Sequence, residues 1–305
     1  MARFVTPLTG WIYQGVAGFE GHLEAEIGEW NVSWGNLYHG KALQEPVFWH
    51  QNIWLAPFQV EFDSISEAVK TLRGIQRNWS SVLYTQFRRG ALIQSQLPPL
   101  SSKPRRFPWI LPDVPIGAWT LVNSHTMIAS AQCTSPFPGG IIVFEEDLAG
   151  PPSRAYLKLW EALVRCRTHP QPGERCLDAG ASPGGWTWAL ARLGPEVIAV
   201  DRALLEERIL TMPRVSFIKH DAFTLKPETI GPLDWLCCDV ICYPSKLYEW
   251  ISRWLDAGIC RNFICTLKMQ GTPDMETVRR FAAIPNSRIV HLYHNKHELT
   301  WMKTA

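Results

Sequence analysis

The segment Asp178-Ala-Gly-Ala-Ser-Pro-Gly-Gly185 constrains this chain more than any other. It leaves a short apolar run, Arg175 to Asp178, and enters one with helical spacing, Gly185 to Arg192. Glycines around a proline permit a tight turn and close approach of backbone to a ligand. The first turn of a helix presents N–H groups that no carbonyl of that helix can accept. Strand, glycine turn and helix in that order open a parallel sheet covered by helices, and such sheets bind ligands at the carboxyl ends of their strands.

The rest of the carboxyl-terminal half repeats the pattern. Apolar runs predict strands at Arg175 to Asp178, Val197 to Asp201, Val215 to Lys219, Trp235 to Val240, Phe263 to Met269 and Ile289 to Tyr293, with a last strand beginning near Glu298. Helical spacing predicts helices at Ser153 to Arg165, Gly185 to Arg192, Ala203 to Leu210, Ser245 to Ala257 and Pro273 to Phe281. Gly150, Pro151 and Pro152 mark a boundary, dividing the chain into 1–150 and 151–305. In front of it, Gly18 to Ile27 and Ser64 to Ile75 have helical spacing, and Trp119 to Ile128 and Gly140 to Phe144 read as strands, so a smaller α+β domain is expected there.

Formal net charge is only +2, but the stretch from Lys70 to Arg106 carries Lys70, Arg73, Arg77, Arg88, Arg89, Lys103, Arg105 and Arg106 without one Asp or Glu. Trp79, Tyr84, Phe87, Phe107 and Trp109 stand in or beside it. The run reads either as a strip that tracks an RNA backbone, with aromatics stacking on unpaired bases, or as a solvated face over buried rings. The eight cysteines include no C-x-x-C pair. There is no H-E-x-x-H, and His291, His294 and His297, three apart, would alternate faces of a strand, so no metal site is expected. With no signal peptide and no apolar run of about 20 residues, the expectation is a soluble, cytoplasmic protein.

The glycine turn lacks the G-x-G-x-x-G spacing of dinucleotide sites, because Ala181, Ser182 and Pro183 separate Gly180 from Gly184 and Gly185. It suits the amino-acid end of S-adenosylmethionine instead, with Asp178, Gly180, Ser182, Pro183, Gly184 and Gly185 around it and Trp186 beside the cleft. Asp201 closes the second strand, where a carboxylate can take ribose hydroxyls, and Asp221 follows the third, within reach of an adenine amine. Singly either acid is also a candidate helix cap.

The nine residues from Asp178 to Trp186, D-A-G-A-S-P-G-G-W, resemble the D-x-G-x-x-P-G-G motif of the FtsJ-like ribose 2′-O-methyltransferases. The resemblance implies a Rossmann-like class I methyltransferase domain with a mixed seven-stranded sheet. It also implies a Lys-Asp-Lys-Glu tetrad, carried here by Lys158, Asp239, Lys268 and Glu298, with Asp239 also near the cofactor. The chain is most similar to the RlmM subgroup, which methylates a cytidine ribose in large-subunit ribosomal RNA. Ser135-Pro136-Phe137, Trp254 to Arg261 and Leu292-Tyr293-His294 support this. Gly18-Phe19-Glu20 through Ile27 resembles the start of the module that precedes THUMP RNA-binding domains in that subgroup. RNA is thus the implied partner, with neither membrane nor DNA expected.

A ribose hydroxyl needs a base to become a nucleophile, and Lys268 is the candidate. It must be neutral to act, so the expectation is that burial, Lys158 and a sulfonium lower its pKa against the opposing pull of Asp239 and Glu298. Two other functions compete. Methylation of an exocyclic amine calls for Pro-Pro and an aromatic after the fourth strand, where Asp239-Val240-Ile241-Cys242 stands, and methylation of pyrimidine C5 calls for a Pro-Cys pair, which is absent. A catalytically silent RNA-binding or assembly factor is the other.

Overall fold

The computed structural model describes residues 4–101 and 103–305. They form two compact units: residues up to Arg105 together with Pro112–Val143, and Arg106–Leu111 together with Phe144–Ala305.

The first unit runs β1 (Phe4–Pro7), β2 (Trp11–Gly15), α1 (Glu20–Ile27), β3 (Val32–Trp34), β4 (Leu37–Gly40), β5 (His50–Trp54), β6 (Phe58–Glu61), α2 (Ile65–Ile75), β7 (Trp79–Ser81), α3 (Phe87–Gln96), β8 (Gly117–Leu121) and β9 (Thr126–Ser130). Its strands make a five-stranded sheet, β1-β6-β9-β8-β7, and a four-stranded one, β3-β4-β2-β5. Trp119, Leu121, Met127 and Ala129 pack into one core with Leu72 and Ile93, while Ala118 and Ile128 join Ile12, Leu37 and Trp54 in another. Because β8 and β9 are buried on both faces, their sequence is apolar without alternation. This is why Trp119 to Ile128 reads as one strand when it is a hairpin with Ala118 opposite Ser130 and Leu121 opposite Met127.

The strand expected at Gly140 to Phe144 is absent. Pro138–Gly140 is a single 3-10 turn in which Gly139 and Gly140 take φ of 60° and 83°, and residues 141–143, though Ile141 is extended, join no sheet ladder. The basic run divides between the two units. Lys70 to Arg105 belongs to the first unit, Arg106, Phe107 and Trp109 to the second. Trp79 is wholly buried and donates its indole N–H to the Leu72 carbonyl at 2.9 Å, so it packs a core instead of presenting a face to bases. Phe107 lies parallel to Trp160, ring centres 4.7 Å apart. Phe87 alone of these aromatics is largely exposed, at 63%.

The second unit runs α4 (Tyr156–Cys166), β10 (Arg175–Ala179), α5 (Gly185–Ala191), β11 (Glu196–Asp201), α6 (Glu207–Leu210), β12 (Val215–Lys219), α7 (Pro227–Ile230), β13 (Leu233–Cys238), α8 (Pro244–Ala257), β14 (Cys260–Lys268), α9 (Met275–Ala282), β15 (Ser287–Val290) and β16 (Glu298–Lys303). Seven strands form one mixed sheet in the order β12-β11-β10-β13-β14-β16-β15. The five from β12 to β14 are parallel, and β16 runs antiparallel to both neighbours. Strand order reverses between β10 and β13, whose carboxyl ends, Asp178-Ala179 and Cys237-Cys238, lie side by side. A crevice at such a reversal is where open α/β sheets hold ligands. The helix expected from Ala203 is confined to α6, because Asp201 accepts the Ala203 N–H at 2.8 Å and turns the chain.

Candidate active site

Four charged side chains from four elements close into a ring. Lys158 on α4 donates from Nζ to Asp239 Oδ2 at 2.7 Å and to Glu298 Oε1 at 3.0 Å. Lys268 at the end of β14 donates to Asp239 Oδ1 at 2.6 Å and also to Glu298 Oε2. Each cation bridges both anions and each anion both cations. Sheet register produces most of this. Lys268 and Glu298 are directly opposed on β14 and β16. Cys238 pairs with Cys265, which sets Asp239, one residue on, beside Thr266. Thr266 donates its hydroxyl to Asp239 Oδ1 at 2.7 Å.

The ring is nearly dry, its side chains 5–15% exposed. Burial alone would lower the Lys268 pKa, but Asp239 and Glu298 outweigh it and hold that pKa above the usual lysine value. Burial likewise works against the Asp239 carboxylate and is overcome by Lys158 and Lys268, so its pKa falls. The expected lowering at Lys268 is therefore reversed in the protein by itself: this lysine is an ammonium ion.

The glycine loop lies beside the ring. Gly180 takes φ of 80°, and a Cβ there would overlap Val240. The Ser182 N–H donates to Asp201 Oδ2 at 3.0 Å and its hydroxyl to the Leu204 carbonyl at 3.0 Å. Pro183 follows a cis peptide bond, Gly184 takes φ of 118°, and Gly185 opens α5. Trp186 is buried, and its indole N–H donates to the Ala155 carbonyl at 2.9 Å, tying the loop to the start of α4. Asp221 accepts the Phe223 N–H at 3.0 Å, as a cap does, and still faces a cleft of about 100 Å³ that it shares with Gly180, Asp201 and Val240.

Asp178 stands apart chemically. It is 1% exposed, accepts the Thr187 hydroxyl on Oδ2 at 2.6 Å, and its Oδ1 has no hydrogen-bond partner among the described residues. Burial, eased by Thr187 and reinforced by Asp239 and Asp201, raises its pKa to about 7.

A profile described as FtsJ-like methyltransferase matches residues 151–284. The ribosomal RNA large subunit methyltransferase M of Xanthomonas axonopodis pv. citri is 32% identical over 251 residues, 77% of this chain and 68% of that protein. Its counterpart in Xylella fastidiosa is 31% identical over 250 residues, 77% and 67%. The counterpart in Azoarcus sp. is 34% identical over 182 residues, 54% and 49%.

The chain belongs to the FtsJ-like methyltransferases.

As an FtsJ-like methyltransferase it uses S-adenosylmethionine, and its residues fit that cofactor. An orphaned, buried carboxylate oxygen at Asp178 suits the cofactor's ammonium group. The cleft between Asp201 and Asp221 suits a nucleoside. At about 100 Å³ it is small against the roughly 300–1,000 Å³ of whole-ligand cavities. A larger cavity of about 790 Å³, bordered by Phe107, Glu146, Trp160 and Trp188, contains no residue of the ring or the loop. Size does not mark the chemistry here.

Glu298 lies beyond the matched 151–284, and its place in the site comes from the sheet. Sequence reasoning missed Thr266 and Thr187. Thr266 was within reach of it, since residues two apart on a strand share a face and Lys268 was already a candidate. Among the described residues no cluster of His, Cys, Asp and Glu could hold a metal ion, and no helix is long and apolar enough to cross a membrane.

Proposed function

We propose that this FtsJ-like methyltransferase methylates a ribose 2′-hydroxyl in large-subunit ribosomal RNA, on a cytidine. The closed ring of Lys158, Asp239, Lys268 and Glu298 carries the reading. In this reading residues 151–305 are a Rossmann-like class I domain, supported by the strand reversal beside the glycine loop. Residues 1–150 are a THUMP-like RNA-binding domain. Its support is the acid-free stretch with exposed Lys70, Arg73, Arg77 and Arg88.

The bound cofactor supplies a methyl group on a positively charged sulfur. Asp178, Gly180, Ser182, Pro183, Gly184 and Gly185 hold its amino-acid end, Trp186 braces that loop, and Asp201 and Asp221 hold the nucleoside. Lys158 holds the 2′-oxygen by donating an N–H. Asp239 and Glu298 orient both lysines, and Thr266 orients Asp239. Lys268, once it has released its own proton, is placed to take the proton of the 2′-hydroxyl. A positive charge on a bound cofactor would oppose the carboxylates' hold on the Lys268 ammonium and favour that release. Transfer therefore rises with pH, and a rate indifferent to pH from about 6 to 10, with chemistry limiting, overturns Lys268 as base.

The deciding experiment maps ribose methyls in ribosomal RNA by mass spectrometry, with and without the gene. Loss of one large-subunit 2′-O-methyl, restored by the wild-type protein and not by Lys268→Ala, is expected. An unchanged map refutes the proposal. Restoration by Lys268→Ala leaves a silent assembly role in its place.

A further inference from the structure

Glu161 is wholly buried on α4, one helical turn beyond Lys158, and the mechanism does not use it. Its Oε1 accepts from Arg165 Nε at 3.0 Å and Nη2 at 2.9 Å, and from the Tyr293 N–H at 3.1 Å. Its Oε2 accepts the His294 N–H at 3.2 Å. Two consecutive backbone amides of the segment leading into β16 are thus held by one carboxylate. The same segment is tied at its far end, where Asn295 Nδ2 donates to the Glu298 carbonyl and to the Thr300 hydroxyl, both at 3.1 Å. His291 Nε2 bonds the Lys296 carbonyl at 3.0 Å between them.

Glu298 is the first residue of β16, so its side chain is aimed by a backbone that the sheet ladder holds on one side only. One helix therefore supplies both a member of the ring and the clamp that delivers the member opposite. We infer that Glu161 is a positioning residue for methyl transfer: it fixes the 293–297 turn and thereby sets Glu298 between Lys158 and Lys268. The inference rests on the 2′-O-methyltransferase reading for its consequence and on the hydrogen bonds for its geometry.

Glu161→Gln keeps the size of the side chain and loses the charge that grips two amides. Glu298 then relaxes from Lys268. The groups that face Lys268 are Asp239 beyond β13, Glu298 on β16, Lys158 on α4 and the Cys242 thiol in the loop after Asp239. With Glu298 withdrawn, one of its two carboxylates is lost and its pKa falls.

The expected result for Glu161→Gln is a kcat lower by about 10- to 100-fold, as for misplacement by about 1 Å, with KM for the cofactor within about twofold. The alkaline rise of the rate moves to lower pH. Nuclear magnetic resonance of ¹³C-labelled lysine ε-carbons, with the Lys268 signal identified by its loss in Lys268→Arg, reads the same shift without RNA or turnover. If wild-type protein methylates no RNA, the function falls and the resonance still decides the positioning. Asn295→Ser loosens the other end of the same turn and gives the same shift, which covers a failure of Glu161→Gln to fold. An unmoved Lys268 titration in every folded variant, or a loss of kcat with an unmoved pH profile, overturns the inference.

Discussion

The ring and the glycine loop sit at neighbouring strand ends of one sheet, and they treat buried charge in opposite ways. In the ring, each lysine bridges both carboxylates, and at Asp239 and Lys268 burial is outweighed and the charged form is favoured. At Asp178 a carboxyl equally deep has one hydroxyl donor and no cation, and burial pushes it toward the neutral form. One sheet thus keeps a self-neutralised cluster beside an acid that lacks a counter-charge.

The contrast breaks most readily at Lys268. Lys268→Met leaves Asp239 and Glu298 with a single cation, and single-turnover methyl transfer is expected to fall by about 10²- to 10⁴-fold. Denaturant unfolding should show a loss of roughly 3–5 kcal/mol, the cost of breaking a buried ionic network from one side. A variant as stable as the parent would mean that the ring is solvated and that the two regions do not differ.

Titration sharpens the comparison, because the two regions answer to pH with different signs. The folded pKa of Asp178 is near 7 against an ordinary 3.8, so the folded state binds the extra proton. Stability is lost as pH rises from about 4 through about 7, by on the order of 4 kcal/mol. The lowered Asp239 contributes stability above about 3.8 that is lost as pH falls through its folded pKa. The raised Lys268 contributes stability below about 10.5 that is lost as pH rises through its folded pKa. Between pH 4 and 8 Asp239 and Lys268 add no slope, Asp178 lowers stability as pH rises, and His291, whose imidazole burial holds below its usual pKa, lowers stability as pH falls below about 6.5. Asp178→Asn should therefore abolish the fall of the unfolding midpoint as pH rises from about 4 through about 7, and a fall that survives in Asp178→Asn assigns it elsewhere. The smallest effect is at Thr266. Thr266→Val removes one hydrogen bond to a charged carboxylate, and thermal or denaturant unfolding should show about 1.5–3 kcal/mol lost with the remaining ring contacts intact.

The glycine loop was legible because its information is local: turn residues, a strand before and a helix after occupy consecutive positions. Strand and helix order in the second unit was legible for the same reason. The error at Val122 to His125 fell where burial on two faces hides a turn, and the choice left open at Trp79 could not be made because residue type says nothing of depth. Glu161 and Arg165 look in sequence like a surface i,i+4 pair, and only the chain's return at Tyr293 and His294 makes Glu161 a clamp.

By itself the sequence determined the βα order and the glycine turn, since each depends on neighbours within a few positions, while the four charged residues were named through the resemblance to the FtsJ-like family. Tertiary structure decided that β16 lies beside β14 in the register that opposes Glu298 to Lys268. It also decided which protonation state each buried group holds, because dehydration and the nearness of an opposite charge arise from packing between residues as far apart as 158 and 298.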